Sequence, residues 1–255
     1  MLEVKVTENY AGIEVKGDYN DFDKLYDCIF EIVGEEGDYP TLEKFRIQIL
    51  ALCYDLRHAK QGSREIELIP NNMDEEIMKY HSIIAPTNNV YYKFNYILTQ
   101  AIFVVYALNI FIDNYKYKKY KSSYYTKAVY DENINIVQEF ESKVLKAIVE
   151  NLPEKNQKSF LKLFYDREFG TNRFIHQYLE LIDCRYLAKN KEERLKCIVN
   201  ITKRVVKYWE YEEYMELEQE LIEYAQENQC DLDDIRITGT EYPEDIEWKI
   251  YNNRM

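Results

Sequence analysis

Along the first seventy residues the spacing of apolar positions changes from two to nearly four and back again. Leu2, Val4 and Val6 alternate with Glu3, Lys5 and Thr7, and Ile13 and Val15 alternate with Glu14 and Lys16. A period of two marks strands, and Asn9-Tyr10-Ala11-Gly12 between the two runs predicts a β-hairpin. Gly17-Asp18 breaks the pattern, and Asn20 or Asp21 is placed to cap a helix. Phe22, Leu25, Tyr26, Ile29, Ile32 and Val33 then recur at helical spacing. Gly34 to Pro40 reads as a loop with Thr41 as the next cap. Leu42, Phe45, Ile49, Leu52, Cys53 and Leu56 form the stripe of a second helix ending near Gly62. Ile66 and Leu68 alternate with Glu65 and Glu67, predicting a third strand stopped by Pro70. Residues 1–72 thus read as a β-β-α-α-β unit.

A helical region is predicted over 73–234. Val90 to Tyr120 is one long apolar segment ending in lysines, and further helices are expected at 131–151, 154–166, 172–188, 191–207 and 209–228. Pro153 suits a first helical turn. No glycine occurs between Thr171 and Thr238, and no proline between Glu154 and Tyr242. That absence implies uninterrupted helices with short polar turns. In the tail, 235–255, Ile235 and Ile237, then Ile246, Trp248 and Ile250, alternate with polar residues, so two C-terminal strands are expected. The fold class is α+β and predominantly α-helical. A small antiparallel sheet, made of the hairpin, the third strand and on this reading the tail strands, packs on a helical bundle as one compact domain.

Composition narrows the function classes. The chain has 255 residues, 33 basic against 46 acidic, and a net charge of −13. A general duplex-binding protein needs the opposite balance. Seven Gly and five Pro are too few for an all-β sandwich. Five cysteines with no C-x₂₋₄-C spacing point to a reducing cytosol, hence a cytoplasmic protein. The N-terminus has no basic region followed by an apolar core. The longest apolar run, Ile97–Ile112, is interrupted by Thr99, Gln100 and Asn109 and falls short of the ~20 residues a membrane span needs. No membrane association is expected.

Chemistry-bearing residues are few. The densest polar group is Tyr54-Asp55-Leu56-Arg57-His58-Ala59-Lys60-Gln61-Gly62 at the end of the second helix. Arg and His there complement the helix dipole and the free carbonyls. The catalytic alternative makes His58 an acid or base and Arg57 an anion clamp, oriented by Asp55 or Gln61. Some metal-independent helical ribonucleases use Arg and His on a helix, but spaced by four to six residues rather than adjacent. His176 lies three residues after Arg173, and His81 in a less regular stretch. With three histidines and no H-x-x-E or H-E-x-x-H, no metal ion and no cofactor are expected. Asp245, Glu247 and Lys249 share one strand face, a pattern that alternating solvent-facing residues also produce. No Walker A, dinucleotide-binding or kinase signature and no nucleophile elbow is present.

Two charge runs stand apart. Lys116, Lys118, Lys119 and Lys121 interleave with tyrosines, the pattern of a single-stranded nucleic-acid contact. Cations favoured in a last helical turn produce the same pattern, so nucleic acid is not the expected partner. From Trp209 to Asp234 there are eleven acids and no base, whereas residues 1–208 hold 31 acids against 30 bases. Nearly the whole net charge is therefore one helix. Glu210, Glu212, Glu213, Glu216, Glu220 and Glu223 are the candidate contacts for a basic protein partner.

Gly17-Asp18-Tyr19, Leu25-Tyr26 and Cys53 through Gly62 resemble a Bacillota family described as a domain of unknown function, most clearly over residues 1–72. The resemblance implies a Gram-positive or phage origin and draws attention to Arg57 and His58; it implies no mechanism. The leading expectation is a non-enzymatic protein-binding module, an inhibitor, antitoxin or immunity protein that docks a basic partner. A helical ribonuclease or other enzyme using Arg57 and His58 is the alternative, and a homo-oligomeric structural protein is the third class.

Overall fold

The computed structural model describes residues 2–121, 130–165 and 168–232, together with Ile235, Ile237, Ile246 and Trp248. Strands β1 (Glu3–Val6) and β2 (Gly12–Gly17) form the hairpin, in the register Val4↔Val15 and Val6↔Ile13. Helix α1 (Tyr19–Val33) starts two residues earlier than a cap at Asn20 allows, and three earlier than one at Asp21, because Asp18 is the cap. Its carboxylate accepts from the Asp21 N–H at 2.9 Å, and Asp21 returns the contact to the Asp18 N–H at 3.1 Å. This reciprocal pair satisfies two of the free first-turn donors. Gly34 ends the helix at φ +69°, a conformation that strains any residue with a Cβ.

A 3₁₀ turn over Pro40–Leu42 replaces the expected Thr41 cap and leads into α2 (Glu43–Lys60). Strand β3 (Glu65–Pro70) comes next, then a short helix α3 (Glu75–His81), in a stretch whose apolar spacing is irregular. Asp74 caps α3 through the Ile77 N–H at 2.8 Å.

The main departure from expectation is β4 (Asn88–Ile97), a strand where helix was expected from residue 90. It lies at the centre of the four-stranded antiparallel sheet, order β1-β2-β4-β3, pairing Val15 with Phe94 and Leu68 with Val90. The third strand thus joins the sheet through β4 and not through the hairpin. Ile13, Val15, Phe94 and Tyr96 are buried on one face of the sheet. On the other, the Lys93 ammonium lies 3.4–3.9 Å from Glu14, Glu65 and Glu67.

From Ile97 the chain turns directly into α4 (Leu98–Tyr120), of which 15 of 23 residues are buried. That fraction leaves no solvent stripe over most of its length, which is how a central core helix differs from a surface one. Helices α1, α2, α5 (Glu132–Asn151), α7 (Ile175–Leu187) and α8 (Lys191–Val206) all pack on it. At its first turn the fully buried Asp183 of α7 accepts from the Thr99 hydroxyl and, at 2.7 Å, from Gln100 Nε2. A carboxylate beside a helix N-terminus also meets the positive end of the macrodipole. Helix α6 (Glu154–Lys162) begins after Pro153, and α9 (Glu212–Asn228) comes after a 3₁₀ turn at Tyr208–Glu210. No helix of the described residues is long and apolar enough to cross a membrane.

Tyrosine hydroxyls fasten irregular backbone to this core. Tyr106 donates to the Glu168 carbonyl, Tyr208 to Gly170 (3.2 Å), Tyr214 to Thr171 (2.9 Å) and Tyr186 to Tyr10 (2.6 Å). The rings of Tyr208 and Tyr214 meet edge-on at 4.8 Å and continue, through Phe45 and Phe103, into the core. A buried tyrosine supplies apolar area and one hydroxyl that finds a partner. The expected C-terminal strands lie largely outside the described residues, as do Asp245, Glu247 and Lys249. Trp248 is described, and its carbonyl accepts from the Asn9 N–H at 3.4 Å.

Phe103 is fully buried and meets Phe45 edge-on at 5.1 Å. Replacing it with Ala should cost about 3–5 kcal/mol. The expected observation is a lower urea midpoint with an unchanged slope.

Candidate functional site

The sequence offers three candidate regions, and the fold treats each differently. At the end of α2, Arg57 is exposed and His58 half-buried, and both lie against the ring of Tyr54 one turn back. The His58 ring centroid is 4.1 Å from it and the Arg57 guanidinium 5.5 Å. Asp55 is bound to Arg64 at 2.7 Å, so its carboxylate orients Arg64 rather than His58. Gln61 is exposed, and its backbone N–H caps the helix by donating to Arg57. Lys60, from the same cluster, reaches Asp23 at 2.6 Å and lies over Tyr26. The four residues therefore share a helix end without converging on one point.

The lysine run closes one side of a cleft of about 940 Å³ between the ends of α1 and α4 and the loop after Gly34. Lys118 reaches Asp38 at 2.7 Å, and that hydrogen bond holds the Asp38 carboxyl below its usual range. Lys119 bridges the Tyr115 hydroxyl (2.7 Å) and Asp131 (2.9 Å), and these partners raise its pKa. Lys121 is exposed, at the left-handed cap of α4. Of the four lysines that were possible nucleic-acid contacts, Lys116 is 2% exposed and turned into the core. A helical turn places it four residues after Ile112, on the packed side, where burial lowers its pKa and Glu141 opposes that shift. A phosphate would find only Lys121 without a described ion pair.

Helix α9 carries the third candidate. Two of the six predicted contacts are engaged within the protein. Glu213 is half-buried and clasped by Arg185 and, at 2.6 Å, by Arg204, while Glu210 meets Lys207 at 3.1 Å. The remaining four, Glu212, Glu216, Glu220 and Glu223, are exposed, and Glu227 extends their row. Their spacing of four, four, three and four residues lays all five along one face of the helix. Among the described residues none of the five is ion-paired. Met215 and Tyr224, each about half exposed, flank the row. The opposite side, Tyr214, Leu217, Leu221 and Ala225, is buried.

Neither remaining histidine joins these regions. His81 ends α3, exposed, with its ring against Tyr80. His176 stands on α7 between Gln48, which meets Nδ1 at 2.6 Å, and Glu180, 3.3 Å from Nε2. Arg173 precedes that helix and lies over Phe174, so it is no partner to His176. Among the described residues no group of three or more His, Cys, Asp or Glu is placed to hold a metal ion.

Sequence reasoning passed over Glu141, an acid buried at 5% exposure on the apolar stripe of α5. The signal for it is periodicity: Ile134, Val137, Val144 and Ile148 fall at core spacing, and Glu141 occupies the same series.

A family model described as a domain of unknown function (DUF6904) matches residues 2–248, far beyond the 72 residues where the resemblance was clearest. No curated protein and no solved structure matches the chain.

The Glu180 contact raises the His176 pKa above its ordinary value. The pair therefore adds stability that is complete below about pH 6.5, the unfolded value, and is lost as pH rises through the folded one. NMR titration of the imidazole should give a midpoint above about 6.5, and Glu180→Gln should lower it.

Proposed function

The chain belongs to the family described as a domain of unknown function (DUF6904), and from that premise we propose that it is a protein-binding module that docks a basic partner on α9. The observation that carries this reading is the row Glu212, Glu216, Glu220, Glu223 and Glu227, exposed together and not ion-paired among the described residues, while Glu213 is half-buried between Arg185 and Arg204. Like charges three or four residues apart destabilise a helix. Glu227 in the last turn also opposes the helix dipole. A row that costs the free protein stability accords with selection for a contact. Met215 and Tyr224 beside it supply apolar area of the kind found at interface centres.

The partner class that fits is a protein with a cationic groove, such as a toxin or a nucleic-acid-binding protein. The role that fits is inhibitor, antitoxin or immunity protein in a Bacillota or phage setting. Five free cysteines, one of them exposed, suit a reducing cytosol.

Two measurements test this with the variant Glu216→Gln/Glu220→Gln/Glu223→Gln. Affinity capture from a Gram-positive host lysate at low salt should yield a partner with the wild-type chain and none with the variant. Equal capture by both, or by neither, defeats the reading. The same variant should melt at a higher temperature than wild type. That gain should shrink near 1 M salt, where the Debye length falls to about 3 Å.

A further inference from the structure

A second concave feature lies apart from α9, between α5 and α6 over the middle of α4. Its volume is about 520 Å³, within the roughly 300–1,000 Å³ of small-molecule sites. Leu145 and Val149 form one wall, Leu161 and Phe164 the other. Polar groups are confined to the floor and the rim. At the floor stand Asn109 and Glu141, at the rim Lys146, which lies 3.8 Å from Glu150.

The floor sets the ligand's chemistry. Glu141 is on the stripe that packs α5 against α4, and its Oε1 accepts from Asn109 Nδ2 at 3.2 Å. Asn109 is held in turn by the Val105 carbonyl at 2.9 Å. The carboxyl also lines the groove and is not left buried without a partner, so its second oxygen is open to whatever the groove holds. A largely buried carboxyl that opens onto an apolar groove beside one fixed amide is a polar anchor within apolar walls, the arrangement of small-molecule sites.

We propose that this groove binds a small uncharged molecule, a carbonyl or hydroxyl on an apolar body, with its oxygen seated against the Glu141 carboxyl. Burial keeps that carboxyl protonated well above the usual carboxylate range, so it can donate as well as accept. A cationic head would face Lys116 behind the floor and Lys146 at the rim. An anionic head seated at the floor would give up its hydration between apolar walls, a cost that a neutral oxygen does not bear. Leu145, Val149, Leu161 and Phe164 then take the apolar body, about as long as the groove is deep.

The test uses the full chain, isotope-labelled, titrated with 2-heptanone and followed by amide NMR, with heptanoate and heptylammonium as charged counterparts. Saturable shifts should map to α5 and α6, with 2-heptanone the tightest of the three. Val149→Trp, which fills the groove from its edge, should abolish them. Glu141→Leu should weaken binding about tenfold, the effect of one lost hydrogen bond. Glu141→Gln, which keeps a donor and an acceptor, should stay close to wild type. Absence of saturable shifts, shifts elsewhere, indifference to Val149→Trp, or tighter binding of either charged probe would overturn the proposal.

Discussion

The structure is organised by the need to cover a helix that is apolar on nearly every side. Over Leu98–Ile112 only Gln100 and Asn109 escape burial, and leaving such a segment in water would forfeit roughly 25 cal/mol for each Å² of apolar area. Five helices therefore surround α4, and the sheet meets it where β4 runs into its first residue. The few polar groups on α4 become fixed points. Thr99 and Gln100 grip Asp183 at one end of the apolar stretch, Asn109 grips Glu141 near its middle, and Lys119 grips Asp131 at the last turn. Since a half-satisfied buried polar group costs more than it contributes, these contacts fix the register of α5 and α7 on the central helix more sharply than dispersion would.

This constraint also explains which elements are legible in the chain. Helices with one wet face announce themselves, and α1, α2, α5, α7, α8 and α9 appear within a few residues of their expected limits. β4 does not, although Tyr92, Phe94 and Tyr96 alternate with Lys93 and Asn95, because this short alternation runs straight into the apolar stretch of α4. A strand that continues into a helix with no turn residue between them gives no boundary at which the change of period would show. The polar anchors are hidden for a related reason. Asp183, Lys116 and Glu141 look like ordinary surface residues of a charged chain until their positions are counted against the stripe of their own helix. At α2 the difficulty is the reverse. The dense cluster around Arg57 and His58 stands out in the sequence, but density along the chain is not convergence in space, and the side chains fan out toward Tyr54, Arg64 and Asp23.

The abundance of tyrosine has a structural cause that bears on function. Four hydroxyls bind backbone carbonyls of connecting segments, and three of these lie between Glu168 and Thr171. That segment is the seat of α9. Tyr208 and Tyr214 reach it from either side of the last 3₁₀ turn, while Arg185 and Arg204 clasp Glu213 at the first turn of the helix. The helix is thus bolted down by its N-terminal end and by one apolar side, so the orientation of its other side is set by the core and not by its own charges. A solvated face would serve as well with lysines interspersed at i+4, which would add stability. Their absence over five consecutive exposed acids is the unexplained choice in an otherwise economical arrangement. A complementary cationic surface would turn the same repulsion into attraction, since the helix backbone that carries the glutamates is already held in place.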